Sequence, residues 1–375
     1  ILPSLYSELE GPALKHIVEQ ISQVNYINHV IIGLDNADHE QFFYASKFFR
    51  KLNKPFSLLW NDGPRLRAIH NELEEMQLAP TELGKGRNVW YCMGYVLATA
   101  KADAIALHDC DITTYDRSLL ARLIYPVAHP LFSFEFCKGY YARVADQRLN
   151  GRACRLLVGP LIHATKRVVG DNEFLSYLES FRYLLAGEFA FRRDLLTDMR
   201  VPSDWGLEIG ILSEAWRNLG PRSVCQVEIA DAYDHKHQSV SAEEASSGLN
   251  RMSTDICKAI FRKLAADGTV FTSNTFRTLK ATYYRRALDM LEVYDHDAKM
   301  NGLTIDRHAE EQTIELFADN IIRAGQVFLD SPQETPFIAN WNRIHAADPV
   351  LLSELKAAVA ADAEEFAPVP FSAGS

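Results

Sequence analysis

The first hundred residues alternate short apolar runs with longer stretches in which apolar residues return at helical spacing. Each apolar run ends at polar or turn-forming residues, as a buried parallel strand does. Strands are predicted at residues 1–3, 29–34, 56–60 and 104–107. Helices are predicted near residues 11–24, 38–53 and 86–100. Repeated strand–helix units of this kind predict a parallel sheet with helices on both faces.

The pattern after residue 130 is first mixed and then helical. Further strands are predicted at residues 131–141, 185–191 and 223–232. Beyond residue 240, helical spacing predicts a buried face that contains Ile314, Phe317, Ile321, Ala324 and Phe328. We therefore predict an α/β domain over residues 1–240 and a mainly helical extension over 241–375, for packing or dimerisation, with a loose tail.

The amino-acid composition limits the kinds of molecule that the protein is expected to bind. The 375 residues carry 39 Lys+Arg and 49 Asp+Glu, a formal net charge of −10. This balance argues against broad binding of nucleic acid or anionic membranes, but it leaves room for a local basic pocket. No apolar run approaches the roughly 18 residues that a membrane span requires.

The cysteines indicate a cytoplasmic location. Six are scattered without a C-x-x-C pair, so we expect reduced thiols. No secretory signal is apparent. Because the chain opens at Ile1 without a Met, inside a predicted strand, we expect native residues to precede it.

Asp109-Cys110-Asp111 follows the fourth predicted strand directly, and Asp35 ends the second. Ligands of such sheets bind beyond the carboxyl ends of the strands. Carboxylates are hard oxygen ligands for Mg²⁺ or Mn²⁺, and such an ion can bridge the two phosphates of a nucleotide sugar. An isolated Asp-x-Asp more often marks a solvated turn, but its place in this sheet favours a ligand site.

Other candidates come from histidines and from acids in apolar surroundings. His235 and His237 lie two apart at the end of a strand and point the same way, so one of them could complete a metal site. Glu188 and Glu208 each lie among apolar residues, where a carboxylate needs a partner or a task. Glu208 is the stronger candidate, and a structural salt bridge is the alternative.

Two basic turns could receive phosphates. Gly84-Lys85-Gly86-Arg87 precedes a helix and could approach a diphosphate, although it lacks P-loop spacing. Gly151-Arg152 is a second candidate, since arginine binds phosphate in a bidentate manner. An ordinary helix-leading loop and a surface arginine are the respective alternatives.

Taken together and in order, these segments resemble the glucosyl-3-phosphoglycerate synthases, which are retaining glycosyltransferases with a GT-A fold. The resemblance covers residues 1–240. The matching segments are Gly84-Lys85-Gly86, Asp109-Cys110-Asp111, Lys138-Gly139-Tyr140-Tyr141, Gly151-Arg152, Gly159-Pro160-Leu161, Leu185-Ala186-Gly187-Glu188, Gly206-Leu207-Glu208-Ile209-Gly210 and Asp234-His235-Lys236-His237. The resemblance implies an α/β, Rossmann-like GT-A sheet with a helical C-terminal extension. It also implies metal-dependent transfer of glucose from a nucleoside diphosphate glucose, UDP-glucose favoured, to the 2-hydroxyl of 3-phosphoglycerate.

The resemblance also implies residue roles. Glu208 would act at the reacting sugar, and Asp111 and His235 would hold Mg²⁺ or Mn²⁺. The nucleotide-sugar contacts, to which we add Asp35, would be Pro3, Leu5, Asp35, Lys85, Asp109, Cys110, Gly187 and Glu188. The acceptor contacts would be Gly151, Arg152, Cys154 and His237. Cys154 stands where the family has threonine.

Several other functions fit the same residues. A mannosylglycerate-type synthase, or a transferase with another acceptor, differs only in substrates. A sugar nucleotidyltransferase uses a related sheet, but the glycine-rich loop typical of its start is absent from this sequence. A non-catalytic nucleotide-sugar binder would bind donor without turnover. For the helical extension we expect a homodimer.

Overall fold

The computed structural model describes residues 1–235, 242–332 and 337–366, and for residues 242–247 only the backbone. The strands are β1 Leu2–Leu5, β2 Val30–Asp35, β3 Phe56–Trp60, β4 Ala104–Leu107, β5 Phe136–Tyr141, β6 Val144–Ala145, β7 Arg148–Leu149, β8 Phe189–Arg192 and β9 Val224–Ala230. The helices are α1 Pro12–Ser22, α2 His39–Phe49, α3 Pro64–Glu75, α4 Lys85–Thr99, α5 Arg117–Ala128, α6 Gly159–Val169, α7 Glu173–Glu179, α8 Leu195–Asp198, α9 Leu207–Asn218, α10 Ala242–Ala266, α11 Ser273–Met300, α12 Arg307–Asp330, α13 Trp341–Ala347 and α14 Leu351–Glu365. A π-helical segment, Ala153–Val158, leads into α6.

The long strands form two sheets that join edge to edge. One sheet has the order β1-β2-β3 and the other β4-β8-β5-β9. They meet at the start of the chain, where the Ile1 amino group donates to the Ala106 carbonyl at 2.6 Å and the His108 N–H donates to the Ile1 carbonyl at 3.4 Å. The strand order across the joined sheet is therefore 3-2-1-4-8-5-9.

The prediction of parallel strands is confirmed for β1, β2 and β3. The later part is mixed, because β8 runs antiparallel to both of its neighbours, whereas β5 and β9 are parallel. The predicted start of β5 at residue 131 is wrong: the strand begins at Phe136. The apolar side chain of Leu131, which suggested the longer strand, is 83% exposed.

Helices cover both faces of the sheet, as predicted. On β8, Phe189 and Phe191 face one apolar core, and Ala190 faces the other. The first core takes in α4, α6, α9 and the helices after residue 242. The second is closed by α1, α2 and α5. Because successive side chains of a strand point to opposite faces of the sheet, β8 contributes to both cores.

The C-terminal helices pack against the helix that carries Lys85. Trp341 stacks on Trp90 of α4 with ring centroids 4.1 Å apart. A Cβ at Gly94 would lie 2.0 Å from the Trp341 ring, so only glycine permits this approach. The close packing fixes α4, and with it the position of its first residue.

The apolar positions predicted to face a core in α12 are buried, from Ile314 to Phe328. The division into domains at residue 240 stays a prediction, since one apolar core contains residues from both sides of it. Within the described ranges, no helix is both long and apolar enough to cross a membrane.

Candidate active site

Three charged side chains meet where α4, β4 and α9 converge. The Lys85 ammonium lies 2.7 Å from Asp109 Oδ1 and 3.2 Å from Glu208 Oε1. Lys85 is the first residue of α4, and Glu208 lies in the first turn of α9, where the helix dipole favours a carboxylate. The fold thus joins three residues that are up to 123 positions apart in sequence.

The contacts within this cluster shift the pKa values of Asp109 and Lys85. Burial alone would raise the pKa of the Asp109 carboxyl, but the charge and hydrogen bond of Lys85 lower it. Burial alone would also lower the pKa of Lys85, yet Asp109 and Glu208 raise it. At neutral pH Lys85 is therefore an ammonium and Asp109 a carboxylate.

Gly187 lies against this cluster. A Cβ at this position would sit 2.5 Å from Asp109 Oδ2 and 2.8 Å from Lys85 Nζ. The absence of a side chain therefore lets the Asp109–Lys85 pair pack directly against the backbone of Gly187.

Glu188 is fully buried next to Gly187. Its Oε1 accepts a hydrogen bond of 2.5 Å from the Tyr233 hydroxyl. Its Oε2 has no hydrogen-bond partner within the described residues. Burial, assisted by Asp109, raises the pKa of the Glu188 carboxyl. Tyr233 in turn stacks on Tyr141 with ring centroids 3.5 Å apart, so its hydroxyl is firmly placed.

Asp111 and His235 meet at the same edge of the sheet. A bridge between Ile112 and His235 aligns the two segments, and the Thr113 N–H donates to the Asp234 carbonyl at 3.0 Å. Asp111 Oδ1 lies 3.4 Å from His235 Nδ1. Both atoms are buried, and neither has a hydrogen-bond partner in the described part of the chain.

The Asp111 carboxylate is the type of oxygen ligand that Mg²⁺ and Mn²⁺ prefer, and the His235 imidazole beside it can bind a metal ion when neutral. Among the described residues, no third His, Cys, Asp or Glu completes a ligand group at Asp111 and His235. Phosphate oxygens and water would supply the remaining ligands, as is usual for Mg²⁺ beside a nucleotide.

The remaining predicted nucleotide contacts lie at the strand ends near the cluster. Pro3 and Leu5 are half-buried on β1, and the Cys110 side chain is buried. Asp35, at the end of β2, already has side-chain partners: Arg87 Nη2 at 2.8 Å and Asn61 Nδ2 at 2.9 Å. Their roles toward a nucleotide stay predictions.

The predicted acceptor loop is braced by the C-terminal helices. Arg155 donates to Glu310 of α12 at 2.6 and 3.1 Å, and it also donates to the carbonyls of Leu149 and Asn150. This buried, bidentate pair holds the turn that contains Gly151 and the exposed Arg152. Nothing in the sequence pattern indicated this role for the extension.

Cys154 and His237 are the other two predicted acceptor contacts. Cys154 lies beside the Tyr183 hydroxyl and the Leu185 backbone, and burial raises the pKa of its thiol to about 11. The thiol therefore stays protonated at neutral pH. His237 lies outside the described residues.

The sequence analysis assigned no role to Lys138 or Tyr233. Lys138 is fully buried on β5, donates to the Ala186 carbonyl and lies 4.0 Å from the Phe189 ring centroid. Burial lowers the pKa of Lys138 to about 8, and Glu208 and Glu188 only partly oppose this effect. A charged residue inside an otherwise apolar strand was the available signal.

Lys138 makes the stability of the protein depend on pH. Between pH about 8 and 10.5 the folded state has released the Lys138 proton, while the unfolded chain still binds it. The free energy of unfolding therefore rises with pH across this window. Across this window the free energy of unfolding of the wild type should rise, relative to that of Lys138→Met, by on the order of 2–3 kcal/mol. This follows because one pKa unit corresponds to about 1.4 kcal/mol.

Urea unfolding of both proteins between pH 7 and 10.5 measures this difference. Lys15→Met, at an exposed lysine of α1, is the matched control and should follow the pH dependence of the wild type. Identical pH dependence in Lys138→Met and the wild type would contradict the assignment.

Curated relatives match nearly the whole chain. The chain is 46% identical over 362 residues to the glucosyl-3-phosphoglycerate synthase of Persephonella marina. The aligned region covers 96% of this chain and 89% of that protein. The chain is 36% identical over 370 residues to the synthase of Methanococcoides burtonii, covering 98% and 90%. The chain belongs to the glucosyl-3-phosphoglycerate synthase family. No protein-family model matches the chain.

Solved structures of this family share the fold. The Mycobacterium tuberculosis glucosyl-3-phosphoglycerate synthase in complex with Mn²⁺, uridine diphosphate and phosphoglyceric acid has a TM-score of 0.51 and 19% identity, over 72% of this chain and 78% of that one. A complex of the same enzyme with Mn²⁺, uridine diphosphate and glucosyl-3-phosphoglycerate has a TM-score of 0.50 and 20% identity, over 70% and 77%. The predicted α/β sheet of GT-A type, with helices after it, is confirmed.

Proposed function

We propose that this protein transfers glucose, with retention, from a nucleoside diphosphate glucose to the 2-hydroxyl of 3-phosphoglycerate. UDP-glucose is the favoured donor. The observation that carries the proposal is the convergence of Lys85, Asp109 and Glu208 beside Gly187, in a chain that belongs to this family. The mycobacterial relative binds uridine diphosphate, Mn²⁺ and phosphoglyceric acid, which supports the same substrate classes for this chain.

The donor would lie over the edge of the sheet. The Lys85 ammonium supplies positive charge near the diphosphate, and Asp109 and the start of β1 line the nucleotide side. Asp111 and His235 would hold Mg²⁺ or Mn²⁺, whose charge stabilises the departing diphosphate. Asp111 Oδ1 and His235 Nδ1, which have no hydrogen-bond partner among the described residues, are the structural support for this assignment.

The chemical step forms one bond and breaks one at the anomeric carbon. The 2-hydroxyl oxygen of the acceptor bonds to that carbon on the face that the diphosphate leaves. The bond from the anomeric carbon to the diphosphate oxygen breaks, and that oxygen accepts the hydroxyl proton. Because substitution occurs on one face, the configuration is retained.

Glu208 would stabilise positive charge on the sugar ring in the transition state. Its ion pair with Lys85 at 3.2 Å reduces its strength as a nucleophile. This favours an electrostatic role over a covalent glycosyl intermediate.

The acceptor phosphate would bind at Gly151-Arg152, where the π-helical segment begins. Backbone N–H groups at a helix start and an exposed arginine together suit a phosphate. Gly151 has φ +79°, which favours glycine in this turn.

A donor-by-acceptor activity panel tests the proposal. UDP-, GDP- and ADP-glucose and the corresponding mannose donors are each combined with 3-phosphoglycerate or D-glycerate, with Mg²⁺, Mn²⁺ or EDTA. We expect the highest kcat/KM for a glucose donor with 3-phosphoglycerate, an α-linked product by NMR, and loss of turnover in EDTA. Preference for D-glycerate or mannose would support the mannosylglycerate-type alternative. Formation of sugar nucleotide and pyrophosphate would support a nucleotidyltransferase, and binding of the donor without any turnover would refute catalysis.

The proposal extends to assembly and location. The helices after residue 242 offer surfaces for a homodimer, which light scattering of the purified protein tests directly. The six cysteines are unpaired thiols, which supports a reducing, cytoplasmic environment.

A further inference from the structure

The loop that leads to the proposed acceptor site is rich in arginine. Between residues 143 and 155 there are four arginines, at 143, 148, 152 and 155, and one acid, Asp146. Arg155 is paired with Glu310. Within the described residues, no carboxylate forms an ion pair with any of the other three. The positive charges of Arg143 and Arg152, which have no carboxylate partner in the described part of the chain, indicate an anionic ligand.

Arg143 differs from Arg148 and Arg152 because it is half-buried. Its Nε is buried and has no hydrogen-bond partner in the described chain. Leaving a guanidinium donor in that state costs free energy unless something binds it. Arg148 and Arg152 are exposed, so water can satisfy them.

Arg143 forms one wall with the predicted acceptor residues. A Cβ on Gly151 would lie 3.3 Å from the Arg143 Cβ and 3.2 Å from the Tyr183 hydroxyl. Tyr183 adjoins Cys154. The Asn150 N–H donates to the Arg143 carbonyl at 2.7 Å, which closes the hairpin of β6 and β7 and brings its two ends together.

The guanidinium of Arg143 faces the donor half of the site. Its central carbon lies 5.8 Å from the Tyr233 ring centroid, and Tyr233 binds Glu188 and lies beside His235, with ring centroids 4.9 Å apart. Arg143 therefore lies between the proposed phosphate site at Arg152 and the residues of the donor side.

The geometry of the acceptor decides which of its anionic groups reaches this position. In 3-phosphoglycerate the carboxylate is bonded directly to the carbon that bears the reacting hydroxyl. The phosphorus is separated from that carbon by a methylene and an oxygen. The carboxylate is therefore the anionic group that lies nearer the reacting centre.

We infer that Arg143 binds the acceptor's carboxylate, while Arg152 binds its phosphate. The inference rests on the proposed function. It makes Arg143 a specificity-determining residue, which selects a phosphorylated hydroxy acid over a phosphorylated alcohol. A planar guanidinium suits this task because it can donate two parallel hydrogen bonds to one carboxylate.

Steady-state kinetics with two acceptors test the inference. Glycerol 3-phosphate retains the phosphate and the hydroxyl of 3-phosphoglycerate but has a hydroxymethyl group in place of the carboxylate. Arg143→Gln should lower kcat/KM for 3-phosphoglycerate at least tenfold, and change kcat/KM for glycerol 3-phosphate and KM for UDP-glucose less than twofold. Arg143→Lys keeps the charge but not the forked pair of donors. Its kcat/KM for 3-phosphoglycerate should therefore lie between those of the wild type and Arg143→Gln. Arg152→Gln should lower kcat/KM for both acceptors.

Arg148→Gln is the matched control, since it removes an exposed arginine from the same hairpin, and it should behave as the wild type with both acceptors. Calorimetric titration of each protein, loaded with UDP and Mn²⁺, with 3-phosphoglycerate gives a readout that does not need turnover. Equal losses for both acceptors in Arg143→Gln, a raised KM for UDP-glucose, or unchanged kinetics and affinity would overturn the inference alone. Absence of transfer by the wild type would instead overturn the proposed function, and the inference with it.

Discussion

Replacing Asp111 with Asn should lower kcat at least about 100-fold, because the variant loses the only carboxylate of the proposed metal pair. Asparagine keeps the size and one oxygen of the side chain, but not its charge. Asp111 Oδ1 and His235 Nδ1 lie 3.4 Å apart without other partners in the described chain. We therefore expect the affinity for Mn²⁺ in the presence of UDP to fall together with turnover.

Two measurements check this result: initial rates over a range of Mn²⁺ concentrations, and Mn²⁺ binding followed by electron paramagnetic resonance. Asp231→Asn is the matched control, because Asp231 is 89% exposed and pairs only with Arg122 among the described residues. It should retain wild-type rates and Mn²⁺ affinity. The melting temperature of Asp111→Asn should stay close to that of the wild type, since Asp111 is partly exposed. Metal-stimulated turnover at the wild-type level in Asp111→Asn would refute the metal assignment.

Replacing Glu208 with Gln should lower kcat on the order of 100- to 1000-fold, as loss of one preorganised electrostatic contact in a transition state does. The KM for the donor should change less than about threefold. Lys85 retains its 2.7 Å pair with Asp109, so the charge that we assign to diphosphate binding stays in place. Glutamine can still accept a hydrogen bond from Lys85, which protects the local structure.

Rates as a function of donor and acceptor concentration separate the two constants. Glu228→Gln, at an exposed position of β9, serves as the control and should be unaffected. If kcat is unchanged in Glu208→Gln, the catalytic role is wrong. If only the KM for the donor rises, Glu208 binds the ground state and has no particular role in the transition state.

Local patterns accounted for most of the elements that position the site. The apolar runs at 29–34, 56–60 and 104–107 predicted β2, β3 and β4, because buried parallel strands need apolar side chains on both faces. Polar residues directly after them marked the binding edge. The error at residue 131 has a local cause, since Leu131, Phe132 and Phe134 have strand-like composition but lie outside the sheet.

Long-range pairing was beyond such patterns. No spacing indicated that β8 inserts antiparallel between β4 and β5, because a strand's own residues do not encode its neighbours. The buried pair of Arg155 and Glu310 is 155 positions apart in sequence. The helical extension was predicted as a packing or dimerisation element, and only the fold revealed that it braces the proposed acceptor loop.

By itself, the sequence determined the fold class, the order of the motifs and the candidate residues, since side-chain chemistry and local periodicity are written along the chain. The tertiary structure decided which of these residues meet. It joined Lys85 to Asp109 and Glu208 and placed Arg143 beside Gly151. It also left Asp111 Oδ1 and His235 Nδ1 facing each other, with no hydrogen-bond partner for either atom in the described chain. The physical reason is that burial and charge pairing depend on groups that the fold brings together from distant segments.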